Sequence, residues 1–355
     1  EFEAVVLNAD SSARNVRLVN ETDAVVGTLV VPAGTNERRR MRTTFTPTVG
    51  DHRYRVQTEG TSSSGMLEVT TARILVTQVS ASKTAIYIPL LSSSAGAYIG
   101  DADGPVSTAN QMTYESLSAA SIFRREASKY AELVSQNPWR LETLVSATGT
   151  TVGAVSFYNI TRADHVDDTE SMFSGSSVQL SVSPFQDGVT GFSSANEMDL
   201  YQVALRCVAE CDSGQARLYK AGLWVYLKNL DKAQVIFRTG LGATPSSPTN
   251  HEHQRTRINL SQFSNPVSYF QATATILAGM SSGTVWLSDV GNEDFGLTSP
   301  TLVPSSELTV NSNTKSLYRS PALAPTSDHR FVPSVDPGSA MLQITDSAIV
   351  IDVSH

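Results

Sequence analysis

The sequence predicts an all-β protein made of tandem antiparallel β-sandwiches with little helix. Short segments rich in Val, Thr, Tyr and Ile alternate apolar and polar residues, as in 16–19, 54–57 and 216–219. Gly, Ser, Asn and Asp clusters separate these segments, which is typical of strands joined by turns. Strands with one apolar and one polar face belong in an antiparallel sheet packed on a second sheet.

An internal repeat is the other observation behind this prediction. The same order of segments recurs three times, which indicates tandem structural units. An apolar start opens each copy and a paired-strand segment closes it; the markers are Phe2, Leu141 and Phe270, then Ala72, Ala221 and Ala348. We therefore predict β-sandwich domains at 1–80, 81–229 and 230–355, each jelly-roll-like.

The first copy lacks a segment that the other two have. Copies two and three begin with a lead-in near Lys83 and Lys232, whereas copy one opens directly at its first strand. A sandwich without these strands has unpaired edges, which are templates for pairing with another chain. Three explanations stay open: a fragment of a longer array, a missing leading segment, or a strand supplied head to tail by a neighbouring subunit.

Helix is scarce. The best candidate is 118–136, where Ile122, Ala127, Tyr130 and Leu133 are loosely spaced for one face. We expect a short helix or an irregular segment leading into the strand at Trp139.

Composition excludes two classes of partner. The net charge is −8, so we expect no nucleic-acid binding through a basic surface. No run of apolar residues is long enough to span a bilayer, so we expect no membrane insertion. The chain starts at Glu1 with no visible signal peptide, and we expect either a processed product or a fragment.

The two cysteines point to an oxidising compartment. Cys207 and Cys211 flank one turn, and a disulfide between them would suit an extracellular or cell-surface protein. The alternative is a pair of free, half-buried thiols. The spacing alone is a poor signature of a metal site.

Two acidic clusters are candidate Ca²⁺ sites, because hard oxygen ligands at high density can hold this ion. The candidate ligands are Asp101 and Asp103 in a Gly-flanked loop, and Asp164, Asp167 and Asp168 in a second turn. The alternative in each case is a solvated turn. His251 and His253 share one side of an extended segment but supply too few ligands for zinc.

Three further patterns have both a functional and a structural interpretation. Arg38, Arg40 and Arg42 share one strand face, which could bind an acidic polymer or a neighbour's carboxylates, or could simply blunt an exposed sheet. The sequons are at Asn20, Asn159 and Asn259; they are either glycosylation sites or turn-forming residues. The three tryptophans, Trp139, Trp224 and Trp286, could stack on sugar rings, but we expect at least two of them in the core.

The segments from "VRLVNETDAVVGT" to "GMLEVTTARILV" (residues 16–76) resemble tandem jelly-roll, carbohydrate-binding-module-like domains of secreted or surface-attached microbial proteins. The likeness extends over all three copies and is clearest in the first. It implies a fold rather than an activity, since such domains include glycan binders, adhesion stalks and spacers.

Taken together, the sequence predicts a non-enzymatic extracellular structural protein. It would be a subunit of a filament, stalk or surface layer that contacts copies of itself head to tail or through edge strands. One alternative is a glycan-binding adhesion array, and a second is a viral capsid or spike protein, which residues 137–159 also resemble. No nucleophile–base arrangement and no phosphate-binding loop is evident, and no cofactor is expected beyond Ca²⁺.

Overall fold

The chain folds into antiparallel sheets. The computed structural model describes residues 1–34, 38–50, 52–62, 65–76, 84–99, 115–116, 120–130, 133–134, 136–193, 198–210, 214–228, 232–243, 249–250, 256–263, 265–277, 281–291, 300–325, 329–338 and 341–354. Within them, no helix has the length and apolar character needed to cross a bilayer.

The first sandwich, residues 2–74, has two three-stranded sheets. Its strands are β1 (Phe2–Asn8), β2 (Arg14–Asn20), β3 (Val25–Val31), β4 (Arg39–Thr43), β5 (Tyr54–Thr58) and β6 (Leu67–Ile74). One sheet has the order β4-β1-β6 and the other the order β3-β2-β5.

The second sandwich, residues 84–227, has larger sheets. Its strands are β7 (Thr84–Ile99), β8 (Glu115–Ser116), β9 (Phe123–Arg124), β10 (Trp139–Ala147), β11 (Val152–Asn159), β12 (Asp164–His165), β13 (Ser171–Ser174), β14 (Gln179–Phe185), β15 (Leu200–Ala209) and β16 (Ala216–Leu227). One sheet has the order β14-β10-β16-β7. The other has the order β12-β11-β15-β8, with β13 also on β11 and β9 also on β15.

The third sandwich, residues 232–354, repeats this arrangement. Its strands are β17 (Lys232–Ala243), β18 (Thr249–Asn250), β19 (Thr256–Ile258), β20 (Val267–Ile276), β21 (Gly283–Asp289), β22 (Thr301–Leu302), β23 (Leu308–Val310), β24 (Ser316–Arg319), β25 (His329–Asp336) and β26 (Leu342–Ser354). The sheet orders are β17-β26-β20-β24 and β18-β25-β21-β22, with β19 also on β25 and β23 also on β21.

The strand order is that of a jelly roll. In the second and third sandwiches one sheet holds the sixth, third, eighth and first strands, if the split pairs β8–β9, β12–β13, β18–β19 and β22–β23 each count as one strand. The other sheet holds the fifth, fourth, seventh and second strands. The described strands of the first sandwich occupy the third to eighth places of the same order. Where one domain gives way to the next stays a prediction.

A β-bulge marks the same place in all three copies. The register between the opening and closing strands shifts after Val5, after Leu144 and after Thr273. A shared bulge bends the strand and turns its side chains in the same way in each copy. Counted from this bulge, Phe2, Leu141 and Phe270 are equivalent in the three copies. The residue of the third copy that is equivalent to Ala72 and Ala221 is then Ser347, not Ala348. The sequence marker at Ala348 is therefore one residue out of register.

Each sandwich encloses its own apolar cluster, supplied by alternate residues of facing strands. In the second sandwich the cluster centres on Trp139, Phe157, Phe185 and Phe192, all fully buried. The first has a smaller cluster around Phe2 and Val16, and the third one around Phe270 and Phe331. Burial of these side chains is the main source of stability, about 1.5–3 kcal/mol for each large residue.

The second and third sandwiches contact each other through polar groups and through Val235 and Ile236 of β17, which pack against the apolar cluster of the second sandwich. Residues 120–130 lie over the outer face of the β24-β20-β26 sheet. Ser121 Oγ donates to Asp346 Oδ2 at 2.8 Å, and the Ile122 amide donates to Thr273 Oγ1 at 3.2 Å. Lys129 pairs with Asp352 at 3.3 Å. Because most of these partners are buried, the contact fixes how the two sandwiches are joined.

The helix candidate at 118–136 is largely irregular in the residues that the structure describes. It contains the short strand β9 and one 3₁₀ turn, Ala127–Tyr130. Ile122 and Tyr130 are buried nonetheless, but not on a helical face: Tyr130 belongs to the apolar cluster of the second sandwich, with its ring 5.1 Å from that of Trp139.

Candidate functional site

The predicted calcium sites have no support among the described residues. Asp101 and Asp103 lie outside them. Asp164 and Asp167 are half-buried and lie on either side of His165, at 3.7 and 3.6 Å from its ring nitrogens. Asp168 is exposed and occupies a left-handed turn position (φ 66°). In the described part of the chain, no three His, Cys, Asp or Glu side chains are arranged to hold a metal. The solvated turn fits these residues better.

Only one of the two cysteines, Cys207, lies among the described residues. Cys207 is buried on β15, and no free cysteine occurs among the described residues. Cys211, like His251 and His253, lies outside them. The Cys207–Cys211 disulfide stays a prediction.

The sequon asparagines serve the turns that they begin. Asn20 Oδ1 accepts hydrogen bonds from the Thr22 and Ala24 amides, and Asn259 caps a short 3₁₀ helix, Leu260–Gln262. Asn159 is fully buried, and its Nδ2, the atom that a glycan would modify, donates to the carbonyl of Gly191 at 2.9 Å. All three asparagines therefore stabilise turns, as the structural interpretation predicts, and the buried Asn159 leaves no room for a glycan.

The arginine row on β4 is neutralised within the chain. Arg38 pairs with Glu68 at 3.0 Å and Arg42 with Glu1 at 3.0 Å. Arg40 pairs with Glu3, which Arg73 also contacts. Because these carboxylates already occupy the guanidinium groups, the row offers little to an acidic polymer.

Glu3 anchors this ion cluster. It is 3% exposed on the central strand β1. Burial works to raise the pKa of Glu3, but the charges and hydrogen bonds of Arg73 and Arg40 outweigh it and hold the pKa below its usual range. The outer face of this sheet is therefore a closed ionic layer.

The burial of the three tryptophans differs from the prediction. Trp139 is in the core, whereas Trp224 and Trp286 lie half-buried on outer sheet faces. The neighbours of Trp224, Leu223 and Val225, are fully buried, so strand alternation turns the indole outward. The expectation of at least two core tryptophans is wrong, because "AGLWVYL" is an alternating strand and not an apolar run.

Trp224 belongs to an aromatic and charged group on the outer face of β10, β16 and β7, which we call the β16 platform: Tyr87, Glu142, Lys220 and Trp224. The rings of Tyr87 and Trp224 are 4.8 Å apart. Glu142 accepts from Trp224 Nε1 at 3.0 Å and from Lys220 Nζ at 3.2 Å. The Lys220 ammonium is 5.1 Å from the Tyr87 ring.

A glycine makes this arrangement possible. A Cβ on Gly222 would come within 2.2 Å of the Tyr87 ring, so the ring lies flat against the bare backbone of β16. Burial tends to lower the pKa of Lys220, but Tyr87 and Glu142 outweigh it and raise the pKa. The platform thus offers partly exposed aromatic faces beside one acid and one permanently charged base.

The second candidate site is the edge of the first sandwich formed by β5 and β6, where neither sheet carries a further strand within the ranges that the structure describes. We call this edge the open side. Among the described residues, β6 pairs only with β1, whereas its counterparts β16 and β26 also carry the lead-in strands β7 and β17. In the other sheet, β5 pairs only with β2, whereas β15 and β25 have further partners.

The exposed fractions of equivalent residues show which surface the lead-in strands cover in the second and third sandwiches. Ile74 is 40% exposed and Val76 84% exposed. Their counterparts by register, Leu223 with Val225 and Ile349 with Ile351, are at most 1% exposed. The open side is therefore an apolar strand edge of a kind that the other two sandwiches bury.

A hollow of about 540 Å³ lies on the third sandwich. His329 Nδ1 is 2.8 Å from Asp289 Oδ2 on its wall. Its described lining includes Thr301 but no Ser or Cys.

Comparisons with known proteins leave the family open. No protein-family model matches the sequence, and no curated protein matches it significantly. Solved structures show faint likenesses. One is the N-terminal CBM22-1-CBM22-2 tandem domain of Xyn10C from Paenibacillus barcinonensis, at 8% identity and a TM-score of 0.24, with 78% of this chain and 99% of that chain covered.

Two others are a structure of the Gx strain of infectious bursal disease virus and tripeptidyl peptidase 2. The first has 7% identity and a TM-score of 0.22, with 99% of this chain and 72% of that chain covered. The second has 9% identity and a TM-score of 0.21, with 97% of this chain and 33% of that chain covered. Scores this low define neither a shared fold nor a shared function.

Proposed function

We propose that this chain is a non-enzymatic, extracellular structural protein whose β-sandwiches assemble with copies of the same chain. The observation that carries this proposal is the open side of the first sandwich. There, apolar positions such as Ile74 are solvent-exposed while their counterparts in the same polypeptide are buried.

The physical reason is that the edge of a sheet has backbone groups without a neighbouring strand. Each edge strand presents a row of backbone N–H and C=O groups that can pair with another strand. When the side chains beside this row are also apolar, pairing buries both kinds of surface. Pairing through edges joins subunits without any change in their cores, as an assembly of rigid modules requires.

The rest of the molecule suits a spacer. The second and third sandwiches are tied together by a buried polar contact, so this part of the chain would keep its shape under load. Charged residues make up only 17% of the chain, which leaves uncharged surface for packing against copies of the same chain.

Sedimentation velocity and negative-stain microscopy of the full chain test the proposal. We expect concentration-dependent association and elongated or sheet-like particles. Closed shells would point to the capsid alternative instead. A chain that sediments as a single monomer over a wide concentration range would end the structural proposal.

The second candidate function is glycan binding, and the β16 platform is the observation that favours it. Sugar rings stack on exposed aromatic faces, and a carboxylate and an ammonium at the rim can hydrogen-bond to hydroxyl groups. The likeness of the sequence to carbohydrate-binding-module-like jelly rolls agrees with this use.

Glycan-array binding with a matched pair of variants separates the two functions. Trp224→Ala removes the platform indole and should abolish binding. Trp286→Ala removes an indole from an outer face of the third sandwich and should leave binding intact. Equal loss in both variants, or no binding by the unmodified chain, would reject the glycan function.

A further inference from the structure

Resting on the proposed function, the structure points to one specific contact: we propose that two copies of this chain pair edge to edge through β6, in an antiparallel, two-fold symmetric dimer. The argument starts from the sequence of this strand, "LEVTTARI". Read from its two ends, it runs apolar, acidic, apolar, Thr and apolar, basic, apolar, Thr.

This pattern is self-complementary. If Leu67 lies opposite the partner's Ile74, then Glu68 lies opposite the partner's Arg73 and Val69 opposite the partner's Ala72. The two-fold axis creates every pair twice, as in any isologous interface. Two apolar pairs and one opposite-charge pair per half are what stabilises neighbouring antiparallel strands.

The bulge makes this register possible. In a regular strand, positions separated by an odd number of residues point to opposite faces, so Glu68 and Arg73 could not share one. In β6 the register skips a residue after Val69, since Val69 faces Val6 and Thr71 faces Val5. Glu68 faces Leu7 and Arg73 faces Glu3, so both lie on the outer face of the sheet.

The inner-face residues agree with the same register. Leu67 and Val69 pack against the apolar cluster of the first sandwich. Ala72 and Ile74 face Ala4 and Phe2, both of which belong to that cluster. Pairing in this register therefore continues the core across the dimer, and it covers the exposed Ile74.

Glu68 and Arg73 carry opposite charges on the outer face, and each already has a partner in its own chain: Glu68 pairs with Arg38, and Arg73 pairs with Glu3. Their side chains remain 34% and 26% exposed, so a second copy can reach them. In the proposed register each would gain a second, opposite charge from the partner. This complementarity favours a second copy over an unrelated strand, although the ion pairs within each chain make the gain smaller than that of an isolated charge pair.

Charge exchange between two variants tests the contact. Glu68→Arg puts Arg opposite Arg in both halves of the dimer, and Arg73→Glu puts Glu opposite Glu. We expect each variant alone to dimerise at least about tenfold more weakly than the unmodified chain. Mixed together, they should recover a heterodimer, because each mixed pair joins opposite charges again.

A control excludes a purely intramolecular effect. Arg38→Ala breaks the Arg38–Glu68 pair that Glu68→Arg also breaks, but it leaves β6 unchanged. It should dimerise like the unmodified chain, and circular dichroism should show that all three variants fold. Sedimentation equilibrium of each variant and of the mixture gives the constants.

The outcomes separate this contact from the broader function. If the chain associates but the charge variants associate equally well, the β6 contact is wrong and assembly through another surface stands. If every form is monomeric, both proposals fail. If the monomer instead binds a peptide of residues 84–91, the edge receives a lead-in strand from another polypeptide, and the dimer is overturned.

Discussion

Arg319 links the second and third sandwiches, and its removal should loosen them. Its guanidinium pairs with Glu126, lies 3.8 Å from Asp352 and stacks 4.0 Å above the ring of Tyr269. The side chains of Arg319 and Glu126 are each 11% exposed, so water screens this pair only weakly.

The magnitude follows from what Arg319→Ala leaves behind. A broken buried ion pair costs about 3–5 kcal/mol, because the remaining charge is stranded. Asp352 keeps Lys129 as a partner, so we expect the lower part of that range or slightly less, about 2–4 kcal/mol. A double-mutant cycle with Glu126→Ala should give a coupling energy of about 1–3 kcal/mol.

Urea unfolding followed by tryptophan fluorescence measures the effect. We expect the transition of the third sandwich to move to lower urea and to separate from that of the second. Arg55→Ala is the control, since Arg55 and Asp23 are 59% and 65% exposed and their pair is worth at most about 1 kcal/mol. If Arg319→Ala costs no more than this control, the polar contact does not join the two sandwiches.

Three further predictions concern single positions. Burial lowers the pKa of Lys315 to about 8, so the unfolded chain binds a proton that the folded chain does not between about pH 8 and the ordinary lysine pKa. Stability should rise with pH through that window, and Lys315→Met should remove the rise in pH-dependent melting. Gly153→Ala puts a Cβ 2.5 Å from the Phe173 ring and should cost about 1–3 kcal/mol in urea unfolding, whereas Gly60→Ala, with open space around it, should change little. Asn159→Ala should cost about 1–3 kcal/mol, and mass spectrometry of the secreted chain should find no glycan at Asn159; a full-occupancy glycan there would contradict the buried Nδ2.

The strands could be predicted from the sequence because the alternation of apolar and polar residues is a local signal. Val16 and Leu18 point inward on β2, and Leu218 does so on β16, as a period of two requires. The outward position of Trp224 follows from the same rule, once Leu223 and Val225 are assigned to the core. Its partners on the platform could not be predicted, because Tyr87 and Glu142 reach it from other strands and only the register places them there.

The contact between sandwiches had no signal in the sequence. Arg319 and Glu126 are 193 residues apart, and neither belongs to a motif. The apolar residues of 118–136 show a weak helical spacing instead, and two of them, Tyr130 and Leu133, pack against the core of the second sandwich. A long-range polar contact is visible only once the sheets are placed, because no periodicity relates its two halves.

The three copies use one position in three different ways, and this bears on function. The bulge makes Glu3, Glu142 and Gln271 equivalent on the outer face of the central strand. In the first sandwich arginines close that face around the acid, and in the third, Gln271 is buried on the face that residues 120–130 cover. In the second, the same position holds a half-buried indole, through the hydrogen bond from Trp224 Nε1 to Glu142. The cores do not require this difference on the outer faces. We therefore expect ligand binding to have shaped the residues of the β16 platform, and contact with a second copy to have shaped those of the β6 edge. Exchanging Glu142 for Gln, as in the third sandwich, should therefore weaken any glycan binding and leave dimerisation unchanged, whereas Glu68→Arg should do the reverse; if either variant affected both activities, the two sites would not be independent.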